Sequence, residues 1–222
     1  MTNELLFFIE IISVFTGVLL FKRLFGKVGV IVWVAIATIL ANIITAKNVA
    51  LFGLSTAIGT ILFASTFLAT DILNECYDKK DAKKAVYIGL ISNLVLIVST
   101  QIALHYTPSA VDYADSSMQV LFGLNLRIAI SSAVMYFISN MLDVILFDKL
   151  KKKTKGKMLW LRNNVSTILC NCLENFFFIG FAFYGIYDMQ TILIIALSTS
   201  IIEIIVALCD TPFLYLAKRI KD

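Results

Sequence analysis

The sequence predicts an all-α integral membrane protein, a polytopic bundle of about seven transmembrane helices with its N-terminus outside and its C-terminus inside. Three observations carry this. Of 222 residues, 59% are hydrophobic and only 15% are charged, and the mean hydropathy is +0.89; a water-soluble domain of this size needs a charged coat that such a composition does not supply. The apolar residues come in blocks of about twenty, the length that crosses a hydrocarbon core of roughly 30 Å at 1.5 Å per residue. The basic residues fall in alternate connections between those blocks.

In chain order the blocks are 5–21, 28–46, 54–74, 85–104, 120–147, 166–184 and 192–217. The first is interrupted by Glu10 and ends at Phe21-Lys22-Arg23, a stop flank rather than a signal-peptide cleavage region. It reads as a retained helix, with Glu10 exposed to headgroups near the outer interface. Gly53 and Gly59 give the third block the means to begin with a bend. The fifth and last blocks exceed a perpendicular span, which implies tilt or a tail leaving the membrane. Pro212, inside the last block, frees a backbone carbonyl and is expected to kink or end that helix.

Lys22, Arg23 and Lys27 follow the first block, and Lys79, Lys80, Lys83 and Lys84 the third. Lys149, Lys151, Lys152, Lys153, Lys155, Lys157 and Arg162 follow the fifth, and Lys218, Arg219 and Lys221 close the chain. Together these are 17 of the 19 basic residues; only Lys47 and Arg127 lie on the opposite side. Basic loops stay in the cytoplasm, so the chain is expected in the cytoplasmic membrane as a multi-pass protein. It forms one integral domain, with residues 1–27 as an extra N-terminal helix and basic loop and residues 28–222 as the core. The net charge of +4 then reflects topology. The basic run 149–157 reads as a solvated loop, not a nucleic-acid surface.

Several chemistries are excluded. Cys76, Cys170, Cys172 and Cys209 have no paired metal-binding spacing and read as packing thiols. His105 is the only histidine, so the zinc-peptidase motif is absent, and there is no phosphate-binding P-loop. No metal and no cofactor is expected.

What remains is the polar content of the spans, which in hydrocarbon faces a bundle interior, a cavity or a partner. Asn42 lies in the second span and Asp71, Asn74 and Glu75 in the third. Arg127, Asn140 and Asp143 lie in the fifth, Asn171, Glu174 and Asn175 in the sixth, and Glu203 and Asp210 in the seventh. Depth separates them. Glu174 and Glu203 are roughly 15–18 Å from a helix end at 1.5 Å per residue, near the midplane, and are the favoured functional pair. Asp71, Asp143 and Asp210 lie nearer the cytoplasmic face, where anchoring or capping competes as a role. The fifth and sixth spans also share a pattern. Arg127-x-x-x-Ser131 is echoed by Arg162-x-x-x-Ser166. Asn140-x-x-Asp143-x-x-x-Phe147 is echoed by Asn171-x-x-Glu174-x-x-x-Phe178. Spacing of i, i+3, i+7 puts amide, carboxylate and ring on one helical face, and antiparallel neighbours can present such faces across a pseudo-two-fold axis.

These residues carry a resemblance. The stretch from Phe63 through Asp71 to Asn74-Glu75, Arg127 with Ser131, Asn140 with Asp143 and Phe147, Trp160-Leu161-Arg162 with Ser166-Thr167, Asn171 with Glu174, and Pro212 with Tyr215 together resemble the queuosine precursor (vitamin-uptake-like) transporter family. The resemblance runs from about residue 39 to 221. It implies a six-helix core and uptake of 7-deazaguanine bases, the cyano or aminomethyl precursor or queuine, for queuosine modification of tRNA. Three positions depart from the family pattern: Asn140 where a Gln is usual nearby, Glu174 where Asp is usual, and Glu203 near a frequent Lys.

The chemistry suits such a solute. A carboxylate accepts two adjacent N–H groups of a guanine-like edge side by side, an amide reads the neighbouring carbonyl and ring nitrogen, and aromatic rings stack on its face. The expected contacts are Glu174 and Asn171 on the base edge with Asn140 and Asp143 opposite. Arg127, Asp71 and Asn42 support or gate, Asp143, Asp71 or Glu203 is a second acid for a cationic amine, and Phe178 is a ring neighbour. The expected partners are the deazaguanine base and the lipid bilayer, with no nucleic acid. A homodimer and proton coupling are both compatible with the sequence. The competing classes are the substrate-binding component of a multisubunit ATP-driven vitamin importer, a membrane-embedded enzyme using paired carboxylates, and an assembly protein. An ATPase that co-purifies, turnover without transport, or tolerance of mutated acids would mark each in turn.

Overall fold

The computed structural model describes residues 2–123 and 126–220, the side chains of Leu126 and Arg127 excepted. Its elements run α1 (Asn3–Ile44), β1 (Asn48–Leu51), β2 (Leu54–Ala57), α2 (Thr60–Cys76), α3 (Lys79–Leu104), α4 (Asp115–Phe122), α5 (Leu126–Lys153), α6 (Leu159–Phe183) and α7 (Met189–Arg219). The two strands form an antiparallel hairpin with Leu51 opposite Leu54.

Helix α1 holds both of the first two expected spans. It breaks at Gly26, whose φ of 55° and ψ of −139° lie where only glycine is unstrained. The two limbs fold back on each other: the rings of Phe21 and Trp33 are 5.3 Å apart, and a Cβ on Gly17 would lie 2.5 Å from Trp33. The basic cluster Lys22, Arg23 and Lys27 therefore marks a tight hairpin rather than a loop.

Other boundaries differ from the sequence expectation. The third span does not begin at 54: that stretch is β2, and the helix starts at Thr60. Its 17 residues rise about 26 Å. The block 120–147 is not one helix, because α4 ends at Phe122 and a new helix opens at Leu126. Apolar content alone is blind to such a break. Helix α7 is not ended by Pro212 but continues to Arg219. Among the described residues, five helices, α1, α3, α5, α6 and α7, are long and apolar enough to cross a membrane.

Helix starts have local causes. Thr2, Asp78 and Asp188 cap α1, α3 and α7 by accepting the amides of Leu5, Lys80 and Thr191. At Asp188 the Thr191 hydroxyl and amide hold the carboxyl below the usual carboxylate range. Lys151, Lys152 and Lys153 close α5, where cations complement the helix dipole.

Lys22 reaches the Ile220 carbonyl, Lys79 pairs with Asp148, Lys27 with Asp81, and Lys218 with Glu75. These contacts gather the basic segments at one end, which by the positive-inside rule is cytoplasmic. At the other end Asn3 bonds the Ala50 carbonyl and Gln101 that of Phe122. The radial pattern is inverted relative to a soluble protein. Ile12, Leu20, Ile91, Val98, Leu169 and Phe181 are exposed, whereas Asp71, Asn140, Asp143, Arg162 and Asn163 are fully buried. Lipid supplies the apolar environment outside, so the polar groups collect within.

Helices α3 and α5 approach closely at Gly89, where an added Cβ would lie 1.8 Å from the Tyr136 hydroxyl and 3.1 Å from Val34. Both neighbours are fully buried and have no room to yield. Gly89→Ala is expected to lower stability by about 1–3 kcal/mol, measured as thermal unfolding in detergent; an unchanged midpoint would refute this packing.

Candidate functional site

One face of α6 is polar along most of its length. Arg162, Asn163, Ser166, Thr167, Cys170 and Asn171 are buried, while Trp160, Val165, Leu169, Leu173 and Phe177 on the opposite side are exposed. The 3.6-residue period of α6 makes this separation. Helix α5 answers with Tyr136, Ser139, Asn140 and Asp143, and α2 with Thr66, Thr70, Asp71 and Asn74, all buried.

Nearest the cytoplasmic end, Glu75 is a hub. Its Oε2 accepts from Arg162 Nη2 at 2.6 Å and lies 3.4 Å from Lys151 Nζ, and its Oε1 lies 2.8 Å from Lys218. One carboxylate thereby ties α2, α5, α6 and α7. Above it lies a layer of three aspartates from three helices, Asp71, Asp143 and Asp210. The Asp71 and Asp143 carboxyl groups are close enough to act on each other electrostatically. Asn163 Nδ2 donates to Asp210 Oδ1 at 2.6 Å, and Thr167 Oγ1 to Asp143 Oδ1 at 3.4 Å. Thr66 Oγ1 donates to Asn140 Oδ1 at 3.2 Å.

A second layer lies toward the outside. Ser139 donates to Glu174, and Asn175 Nδ2 donates to Glu203 Oε2 at 2.6 Å and to Ser200 at 3.2 Å. Glu174 and Glu203, on adjacent helices, are close enough to act on each other electrostatically. Cys170 joins the layers, within electrostatic range of Asp143, Asp71 and Glu174. The hydroxyl-to-carboxylate bonds between α5 and α6 are reciprocal, Ser139 to Glu174 and Thr167 to Asp143. That arrangement agrees with similar faces meeting across a pseudo-two-fold axis.

Among the described residues, several atoms here have no hydrogen-bond partner: both oxygens of Asp71, Asp143 Oδ2, Asn163 Oδ1, Asn171 Oδ1 and Arg162 Nε. A buried polar atom left unpaired costs about 1–3 kcal/mol, so their concentration on α2, α5 and α6 makes this the candidate site. Among the described residues, no three His, Cys, Asp or Glu side chains converge to hold a metal ion.

The structure thus gathers Asp71, Asn140, Asp143 and Asn171, with Glu174 one turn beyond them and Glu203 beside it. Asn42 is not drawn into this group; it bonds the Thr38 carbonyl of its own helix at 2.8 Å. Phe178 packs with Ile179, Ile192 and Ala196 in a separate apolar cluster. The Arg127 side chain lies outside the described residues. Asp210, Asn163, Ser139, Thr66 and Cys170 belong to the site without having been singled out for it. Asp210 was legible as an intramembrane acid, but its partner on α6 was not. Asp71, Asp143 and Asp210 are all buried within the bundle. Glu10 is likewise half-buried rather than exposed.

The family model described as "Putative vitamin uptake transporter" matches residues 57–217. The chain is 36% identical over 218 residues to a "Probable queuosine precursor transporter" of Bacillus subtilis, covering 98% of this chain and 95% of that protein. It is 31% identical over 131 residues to a protein of the same name from Haemophilus influenzae, covering 59% and 53% of the two chains. It is also 28% identical over 148 residues to a "Queuosine precursor transporter" of Escherichia coli, covering 64% and 62%. No solved structure matches. With its buried acids on the helices that the family model spans, the chain belongs to the queuosine precursor (vitamin-uptake-like) transporter family.

Proposed function

We propose that this multi-pass membrane protein imports 7-deazaguanine-type bases, the cyano or aminomethyl precursor or queuine, for salvage into tRNA queuosine. The observation that supports this reading most directly is the set of unpartnered buried carboxylate and amide atoms on α2, α5 and α6. They offer acceptors for adjacent N–H groups and amides for a neighbouring carbonyl, the complement of a guanine-like edge. The names of the relatives point to the same solute class.

In this reading Glu174 exchanges its Ser139 partner for the base edge, and Asn171 reads the adjoining acceptor. Asn140 and Asp143 face the solute from α5. Arg127, Asp71 and Asn42 act as supporting or gating residues, Glu203 meets a cationic amine, and Phe178 backs the outer end. Asp71 and Asp143, two fully buried carboxyl groups near each other, are the pair assigned to proton coupling. The acids bind and move solute rather than catalyse, and every proposed contact comes from one chain, so the reading needs no homodimer. Residues 28–222 form the core to which residues 1–27 are added.

Expression in cells that lack both synthesis and import of the precursor is expected to restore queuosine in tRNA when one of the three bases is supplied at limiting concentration. Failure with all three, despite membrane insertion, would sink the reading.

A further inference from the structure

The outer limb of α1, the β-hairpin, the start of α2 and Ile202 of α7 enclose a cavity of about 140 Å³. It shares no lining residue with the two acid layers. Three of its polar side chains lack a hydrogen-bond or ion-pair partner among the described residues. Glu10 and Lys47 have opposite charges yet form no ion pair with each other. The Thr56 hydroxyl is unpartnered although the residue is only 3% exposed. The other polar groups are engaged: Thr60 donates to the Ala57 carbonyl at 2.8 Å and Asn3 to the Ala50 carbonyl at 3.0 Å. Phe7, Ile61 and Ile202 supply apolar walls. A half-buried glutamate in a membrane helix is expensive and calls for a ligand or partner. The volume equals about five waters at ~30 Å³ each, room for a small fused ring.

We propose that this cavity is an outer access site that takes the solute before it reaches Glu174 and Asp143. Its ligand is a flat, neutral or cationic heterocycle. N–H or ammonium donors face Glu10, a carbonyl, nitrile or ring nitrogen faces Lys47, and the Thr56 hydroxyl bonds whichever group lies against β2. The apolar walls cover the ring faces. The assignment rests on the transport reading above and extends it, because Glu10 and Lys47 lie outside the segment that the family model matches. With this assignment the first helix builds half of the external mouth.

The test is concentration-dependent uptake of labelled 7-deazaguanine bases by intact cells, with the amount of protein in the membrane fraction measured alongside. Glu10→Gln and Lys47→Gln are each expected to raise the apparent KM about tenfold, the loss of one charge-assisted contact, with the rate at saturating base within twofold of wild type. Thr56→Val is expected to raise KM about threefold, the loss of one neutral hydrogen bond, while Thr56→Ser keeps the wild-type value. If a charge variant fails to reach the membrane, the Val and Ser pair at position 56 decides, because the two side chains differ in the hydroxyl and hardly in fold. Unchanged KM in every variant overturns the access site and leaves the transport reading standing. Absence of uptake by the wild type overturns the transport reading, and the assigned ligand with it.

Discussion

Glu174→Ala is expected to abolish uptake of 7-deazaguanine bases while leaving the protein in the membrane. The size of the effect follows from the chemistry of the contact. A carboxylate facing two N–H groups makes two charge-assisted hydrogen bonds, each worth about 1.5–3 kcal/mol, and their joint loss amounts to roughly 10²–10⁴-fold in affinity. Folding is spared for a local reason. Among the described residues, the one hydrogen-bond partner of Glu174 is the Ser139 hydroxyl, and that hydroxyl has a second acceptor in the Tyr136 carbonyl at 3.3 Å. Truncation therefore strands no donor. Glu174→Asp keeps the charge with a shorter reach and should retain part of the uptake. Glu203 makes a useful contrast, since Asn175 and its own burial already hold it in place. Glu203→Gln should cost less than Glu174→Gln for the uncharged cyano base, and the gap should narrow for the bases that carry an ammonium. Labelled-base uptake, normalised to protein in the membrane, decides the matter: uptake by Glu174→Ala within twofold of wild type would remove Glu174 from the site.

The reach of the sequence can be judged at particular residues. Charge alternation located the two ends of the bundle, because 17 of 19 basic residues had to sit on one side. The spacing of Asn140 with Asp143 and of Asn171 with Glu174 put the polar faces of α5 and α6 together, since helical period is a property of the chain alone. Depth counting put Glu174 and Glu203 at one level, and the bond from Asn175 to Glu203 agrees. Other features depended on which helices become neighbours. The link from Asn163 to Asp210 spans 47 residues and that from Arg162 to Glu75 spans 87, and no local pattern encodes either. The same holds for Glu10, whose surroundings come from a hairpin about forty residues away. Of the two outcomes expected at Pro212, a kink or an end, the end does not occur. A proline removes one N–H from a helix, and membrane helices tolerate that loss; here α7 runs on to Arg219 and Pro212 is exposed. Beside it, the Thr211 hydroxyl accepts the amides of Asn163 and Asn164 and holds α7 to α6.

Arg162→Ala is expected to be the most destabilising single change in the bundle. Arg162 is 0% exposed and makes three distinct contacts. Nη2 donates to Glu75 at 2.6 Å, Nη1 donates to the Lys157 carbonyl at 2.8 Å, and the guanidinium sits 5.3 Å from the Phe147 ring centroid. Breaking a buried ion pair by removing one partner costs about 3–5 kcal/mol, because the other charge is left behind. Here the residual charge is Glu75, with a side chain 3% exposed. Lys218 and Lys151 remain near it; both reach in from the surface, so they soften the loss without replacing a planar fork. Three outcomes separate this account from a mere packing defect, all read as thermal unfolding in detergent. Arg162→Lys should recover less than half of the loss. Glu75→Gln combined with Arg162→Met should be more stable than Arg162→Ala alone, since it removes both buried charges together. High salt should change the wild type little, because ions do not screen a buried pair as they do an exposed one. A loss below about 1 kcal/mol for Arg162→Ala, the ordinary scale of a surface pair, would mean that the four helices are not held at their cytoplasmic end by this carboxylate. The solute's exit would then have to be closed by something else. If the loss is as large as expected, inward release must separate Glu75 from a buried arginine, and the exposed lysines beside it are the contacts that can yield first.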